Sequence, residues 1–237
     1  MNILLLGYGK MGKTIEAIAI NRGHTIIGHI DNSGERNAFK DLKKTDVAIE
    51  FSQPDVAVDN LKFCFDHSIP VICGTTGWLE QKPAVDAYCL KKEGTLFQAS
   101  NFSLGVNLFF QLNEYLAKMM DRYTDYNVSI DETHHTQKKD APSGTAITLA
   151  EGILKNLHQK DTWKLGGLSQ GKEISIHSFR VDPDPGTHVI KYQSAVDEIE
   201  IKHKAHSREG FALGAVLVAE WIKGKKGVLT MKDFLGF

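Results

Sequence analysis

The chain has 237 residues, room for one large domain or two modest ones, and its 42% hydrophobic and 24% charged content are ordinary for a globular protein. A formal net charge of −1 excludes a global basic field that would draw the chain to nucleic acid or an anionic membrane. Three cysteines without CxxC spacing (Cys64, Cys73, Cys89) argue against a disulfide framework and a structural zinc site, and the apolar run before Gly7 is too short for a membrane span or a signal segment. A cytoplasmic protein is expected.

In chain order, "NILLL" (2–6) is a short apolar run of the kind buried on both faces of a parallel sheet. A glycine cluster follows, and "KTIEAIAINRG" reads as a helix ending at Gly23. "HTIIGHID", "TDVAIEF", "IPVICG" and "TLFQAS" read as further strands. Between them "PDVAVDNLKFCFDHS" is a helix with Pro54 in its first turn, and "LEQKPAVDAYCLKKEG" is helical despite Pro83. Strand and helix alternate with short connections, the rhythm of a doubly wound α/β domain. After Asn101 the rhythm changes. "SLGVNLFFQLNEYLAKMMDRY" is a long amphipathic helix, "DYNVSIDETHH" a strand, and "SGTAITLAEGILKNLH" a helix. Three extended segments follow: "EISIHSFRV", "HVIKYQSAV" and "DEIEIKHKA". In the last, Ile199, Ile201, His203 and Ala205 alternate with charged residues, which marks a sheet covered on one side only. "DPDPG" (182–186) is a loop, and "FALGAVLVAEWIKGK" a strongly apolar helix. Two domains are expected, an α/β unit over 1–102 and an α+β unit over 103–207, with the helix of 208–237 free to join either.

Gly7, Gly9 and Gly12 form GxGxxG between a predicted strand and helix. The first glycine permits the tight turn, the second lets backbone approach a pyrophosphate, and the third allows close helix packing. The helix N-terminus offers amides and partial positive charge to phosphates. Asp31 closes the next strand, placed to accept from a ribose 2′-hydroxyl and to repel a 2′-phosphate. NADH is therefore expected over NADPH, with Arg36 the one nearby residue that would favour NADPH.

"ETHHTQKKDAPSGTA" (132–146) gathers proton carriers and then opens a helix. His134 and His135 titrate near neutrality, and Lys138 and Lys139 carry ammonium groups beside Asp140. Ser143 is a plausible N-cap, and Gly144 and Thr145 would present amides to an anion. On an extended segment His134 and Lys138 share a face, unless the chain turns after Thr136. Proton donors beside an anion corner, in a chain with a dinucleotide site, point to reduction of a small acid. The rival readings are another two-domain dehydrogenase of an amino or oxo acid, and an NADH-sensing module that turns nothing over. A metal hydrolase is a poorer third, because adjacent histidines would not face one ion from a regular element.

The stretch E-x-H-H-x-x-K-x-D-x-P-S-G-T-A resembles the signature of the dihydrodipicolinate reductases, the diaminopimelate and lysine pathway enzymes that use NADH or NADPH. "GYGKMG", "CGTTG" (73–77), "ASNFSLGVN" (99–107) and "HKAHSREGFALGA" (203–215) match further landmarks in the family's order. The resemblance implies a Rossmann-type parallel sheet plus an α+β domain with an open mixed sheet, the last helix returning to the first domain. It implies His134 as catalytic acid/base and Lys138 as proton donor, with His135, Gly144 and Thr145 on a small dicarboxylate substrate and no metal. It also implies cofactor contacts at Gly7, Tyr8, Gly9, Lys10, Met11, Gly12 and Asp31, at Gly74, Thr75 and Thr76, and at Ala99, Ser100, Asn101 and Phe102. Members are typically homotetramers assembled through the second sheet. Hydride transfer would bring the domains together about hinges near Phe102 and Ser207.

Overall fold

The computed structural model describes residues 1–168, 171–207 and 209–237. The elements in chain order are β1 (Asn2–Leu6), α1 (Lys10–Asn21), β2 (Thr25–Ile30), α2 (Ser33–Ala38), β3 (Val47–Glu50), α3 (Pro54–Asp66), β4 (Val71–Cys73), α4 (Lys82–Lys91), β5 (Thr95–Gln98), α5 (Leu104–Met120), β6 (Asn127–His134), α6 (Gly144–Leu154), β7 (Thr162–Leu165), β8 (Glu173–Arg180), β9 (Thr187–Gln193), β10 (Glu198–Lys204), α7 (Glu209–Trp221), β11 (Gly227–Leu229) and α8 (Met231–Leu235). They form two compact units, one of Met1–Leu104 with Glu209–Phe237, the other of Gly105–Arg208.

The first unit is a six-stranded sheet in the order β11-β5-β4-β3-β1-β2, every pairing parallel. Alternation along β1 sends Ile3 and Leu5 to one face, where Ile15 and Ala19 of α1 and Ala215, Val216 and Ala219 of α7 pack. Leu4 and Leu6 go to the other, against Leu61, Cys64 and Phe65 of α3 and Cys89 of α4. Burial on both faces explains why β1 is apolar from Ile3 to Leu6. All three cysteines are free and buried, and burial pushes their thiols up, which makes them unreactive. The chain reverses direction across the sheet between β1 and β3, the switch point where open α/β sheets bind ligands at their carboxyl ends.

Residues 208–237 were expected as one helix. Helix α7 instead ends at Trp221, and the chain goes on to add β11 beside β5 and to form α8. Helix α2 and strands β7 and β11 were not foreseen.

The second unit is a five-stranded mixed sheet, β10-β9-β6-β8-β7, with β6 pairing parallel to β8 and antiparallel to β9. One face is covered: Val128, Ile130, Ile176, Ile190 and Tyr192 pack under Phe109, Leu116 and Ala117 of α5 and Leu149, Ala150 and Ile153 of α6. The other face is polar, with Asp131 between His177 at 2.8 Å and Lys191 at 3.1 Å.

Candidate active site

In the first unit the glycine loop is held by contact. Gly7 has φ +92°, and a Cβ there would lie 2.4 Å from the Phe51 carbonyl oxygen, so only glycine lets the loop lie against the turn after β3. Gly9 caps α1 without a side-chain bond, and the first turn carries no acidic residue. A Cβ built on Gly9 meets nothing within 4 Å. Free amides at a positive helix end thus face open space, as a phosphate requires. The Tyr8 ring stacks on His29 at 4.0 Å and its hydroxyl donates to Glu16, leaving the loop its backbone; Lys10 opens α1 exposed to solvent.

Asp31 accepts the Tyr8 amide at 2.5 Å, which ties the end of β2 to the loop. Glu35 accepts the Asp31 amide at 2.7 Å and so brings a second carboxyl to the end of β2. At the carboxyl ends of the strands Met11, Gly74, Thr75, Thr76, Ser100 and Phe102 help to line a cavity of about 530 Å³. Ala99 and Asn101 are turned to the framework: the Ala99 amide donates to the Cys73 carbonyl at 3.3 Å, and Asn101 Oδ1 accepts the Ser103 amide at 2.8 Å. The sequence reading missed the rest of the lining, Phe51 to Pro54 after β3 and Phe211 of α7. An open glycine loop beside a cavity of this size at the switch point fits a dinucleotide.

In the second unit the core-facing positions of β6 run Val128, Ile130, Glu132, His134, so an apolar stripe ends in two ionisable groups. Glu132 is fully buried. Its two oxygens each accept the Ser143 amide at 3.1 Å, and Oε1 also accepts the Ser178 hydroxyl at 2.7 Å. Arg180 Nη2 and His134 Nδ1 lie 3.6 Å away, and His188 Nε2 3.7 Å. Strand register assembles this hub: Glu132 stands opposite Ser178 and His188, and His134 opposite Arg180. A Cβ at Gly186 would come within 3.2 Å of His134 Nε2, so a glycine there leaves the imidazole its space.

The hub fixes the start of α6. Ser143 Oγ accepts the Ala146 amide at 3.2 Å as N-cap and lies 3.2 Å from His188 Nε2. That leaves the Gly144 and Thr145 amides for another acceptor, with no acidic residue in the first turn and open space at Gly144.

Lys138 is not on the strand. The chain turns after His134, with the Lys138 amide donating to the His135 carbonyl at 3.1 Å, so the shared-face expectation fails. The loop is fastened instead by Arg180, whose Nε donates to the Lys138 carbonyl at 3.2 Å and Nη2 to the Asp140 carbonyl at 2.5 Å. Lys138 Nζ lies 2.9 Å from both Asp140 oxygens. His135 lines a separate shallow cavity with Gln137, Asp182, Pro183 and Pro185.

Burial, with His188 and the cations Lys138 and Arg180 adding to it, pushes His134 down to about 4 against the pull of Glu132. The imidazole is neutral at pH 7 in the ligand-free protein. For Glu132 burial acts upward, but hydrogen bonds from His188, Ser143 and Ser178 outweigh it and hold the carboxyl well below its ordinary range. Glu132, His134 and His188 are the group here that a metal could use. The Ser143 amide and the Ser178 hydroxyl already bond the carboxylate oxygens, and the Arg180 guanidinium lies 3.6 Å off.

A pH dependence follows. The folded value of His134 lies below its unfolded one, so as pH falls from about 6.5 to 4 the unfolded chain takes up the proton first. This group should therefore cost up to ~3 kcal/mol of stability across that window. Glu132, shifted down, gives stability that is full above the ordinary carboxylate pKa and is lost at more acid pH. Urea midpoints taken from pH 7 to 4 should fall more steeply for the wild type than for His134→Gln; parallel curves would rule the assignment out.

A glycine loop at the switch point of a parallel sheet, and an acid/base cluster beside an open helix start, define a dinucleotide-dependent oxidoreductase of a small carboxylate. Comparison with known proteins makes this specific. The family model "Dihydrodipicolinate reductase, N-terminus" matches residues 1–102, and "Dihydrodipicolinate reductase, C-terminus" matches residues 105–235. The chain is 51% identical to 4-hydroxy-tetrahydrodipicolinate reductase of Christiangramia forsetii, covering 99% of this chain and 98% of that protein. It is 39% identical to the enzyme of the same name from Methanosarcina acetivorans, over 88% of this chain and 82% of the relative. A solved dipicolinate-bound dihydrodipicolinate reductase from Paenisporosarcina sp. TG-14 shares the fold with a TM-score of 0.76 at 21% identity, covering 99% of each chain. The chain belongs to the dihydrodipicolinate reductase family.

Proposed function

We infer that the protein catalyses reduction of 4-hydroxy-tetrahydrodipicolinate to tetrahydrodipicolinate, a step of diaminopimelate and lysine biosynthesis, with NADH preferred to NADPH. The observation that carries the reading is the buried Glu132, which joins the open start of α6 to a neutral imidazole and to the arginine that fastens Lys138. One substrate carboxylate would be held by the Gly144 and Thr145 amides, with the positive helix end and Lys138 offsetting its charge. Loss of the ring hydroxyl as water leaves a conjugated imine. A nicotinamide held at the glycine loop would supply the hydride that C4 of that ring accepts. Lys138 gives a proton to the adjoining ring carbon, so that the electron pair displaced by the hydride ends in a C–H bond, and Asp140 keeps the ammonium in place. His134, neutral before the substrate arrives, would become a hydrogen-bond donor to the dianion as that charge raises its affinity for a proton.

Asp31, with Glu35 bonded to its amide, supports NADH, since a 2′-phosphate would meet negative charge at the end of β2. Free, buried cysteines accord with a reducing cytoplasm; no helix among the described residues is long and apolar enough to cross a membrane. The uncovered polar face of the second sheet, which carries Phe179 at 48% exposure, supports assembly into a homotetramer through that face. Sedimentation should then give about four times the 26.3 kDa chain mass, and a monomer at micromolar concentration would refute the assembly.

The functional test is steady-state oxidation of NADH with freshly generated substrate and added pyridine-2,6-dicarboxylate. Turnover that depends on the substrate and is suppressed competitively is expected. An NADH-binding protein that oxidises none and ignores the dicarboxylate is a sensor instead.

A further inference from the structure

The mechanism leaves one buried acidic side chain unused. Glu50 ends β3 at the switch point and is wholly inaccessible. Four donors surround its carboxyl: the Ser52 hydroxyl, the Ser52 amide at 3.2 Å, the Asn60 side-chain amide at 3.5 Å and, on the other oxygen, the Cys73 thiol at 3.2 Å. The Ser52 amide also donates to Thr75 Oγ1 at 2.9 Å, so Glu50 joins the two loops that line the cavity. A carboxyl is costly to bury unless such donors are in place, so this network is a strong constraint on its members.

Its outermost member is Asn60, on α3 and itself buried. With Nδ2 given to Glu50 and to Ser52 Oγ at 3.3 Å, its Oδ1 faces Arg36 and accepts Nη1 at 3.0 Å. The opposite amide orientation would set a donor against the guanidinium and an acceptor against the carboxyl, so Glu50 and Arg36 together fix which way Asn60 points. Arg36 lies just past Asp31 and Glu35, where an arginine in this fold accommodates a 2′-phosphate. Here its side chain is only 16% exposed, and its remaining charge is turned to Asp59 at 3.9 Å.

We propose that Asn60, oriented by Glu50, is a positioning residue for cofactor choice: it holds Arg36 down on α3 and so withholds that guanidinium from a 2′-phosphate. This rests on the NADH reading and adds its cause. Asp31 and Glu35 repel the phosphate, and the Glu50–Asn60 pair keeps the compensating charge away. A guanidinium released from α3 could form charge-assisted hydrogen bonds to a phosphate.

The test is fluorescence titration of the ligand-free protein with NADH and with NADPH, which needs no turnover. Asn60→Ala should shift the ratio of the two affinities about tenfold toward NADPH, the size expected for one gained charge-assisted contact. In the Asn60→Ala/Arg36→Ala double variant the gain should vanish, while Arg36→Ala alone should leave the wild-type ratio within about twofold. A residue of merely structural importance would weaken both cofactors alike. Should Asn60→Ala fail to fold, the surface variant Asp59→Asn loosens the same arginine and should move the ratio the same way by about twofold. An unmoved ratio in the folded variant, or a gain that survives removal of Arg36, overturns the proposal. A wild type that binds NADPH more tightly than NADH overturns the NADH reading, whereas a wild type that prefers NADH with an Asn60→Ala ratio unchanged overturns the Asn60 assignment alone.

Discussion

Lys138→Ala should lower kcat by about 10²–10⁴-fold, the usual worth of a positioned general acid, while the dissociation constant for NADH changes less than about twofold. The separation follows from where the groups lie. The glycine loop, Asp31 and the cavity after β3, β4 and β5 all belong to the first unit, and Lys138 to the second. Its Nζ is held by Asp140, and Arg180 fixes the backbone carbonyls of both residues, so truncating the side chain leaves the loop fastened. Lys138→Arg separates charge from proton. A guanidinium keeps the attraction for a dianion but does not give up a proton near neutrality, so KM should stay near wild type while kcat remains low. Steady-state kinetics of both variants decide the matter. Wild-type kcat in Lys138→Ala would move the proton to His134 or to solvent.

The second large effect is at Glu132. Glu132→Ala should destabilise the fold by roughly 3–5 kcal/mol, the usual result of removing one partner from a buried ionic cluster. It strands the Ser143 amide and the Ser178 hydroxyl, and it leaves Arg180 without its buried counter-charge. Glu132→Gln is the informative variant because it keeps the shape. One of its two polar atoms becomes a donor facing the Ser143 amide, so about 1–3 kcal/mol should still be lost. The start of α6 and the imidazole of His134 then lose their common anchor. We expect kcat/KM to fall at least about 100-fold with NADH affinity unchanged. Urea denaturation and kinetics read the two effects separately. A Glu132→Gln protein with wild-type stability and wild-type kcat/KM would show that the carboxylate is not the organising group.

What could be read along the chain follows from what each segment buries. The run Ile3–Leu6 was legible because every side chain in it enters one of two cores, and α7 because its buried face is almost wholly apolar. Helix α2 escaped notice because it buries no residue and contains Gly34; it exists through the Asn32 cap, which accepts the Glu35 amide at 3.0 Å. Strands β7 and β11 are four and three residues long at sheet edges, too short for a period to declare itself, and their partners β8 and β5 define them.

The site divides in the same way. The glycine loop, Asp31 and the His134–Thr145 stretch are local patterns. Ser178, Arg180 and His188 reach Glu132 through pairings across more than forty residues, which no local pattern encodes. A signal was nonetheless present. Glu132 occupies a position where the period of β6 demands an apolar side chain, and Glu50 ends the buried run of β3 in the same manner. A carboxyl at a core position needs buried donors, and both networks supply them. Lys138 does not share the face of His134 because the strand stops at His134 and the chain turns in the loop that follows.

The most direct measurement is the fate of a label. With NADH carrying deuterium at the transferable position of nicotinamide C4 and freshly made 4-hydroxy-tetrahydrodipicolinate, one deuterium is expected at C4 of the product ring and none washed out to water. A product that acquires its C4 hydrogen from solvent, or NADH left unoxidised by the substrate, would contradict it.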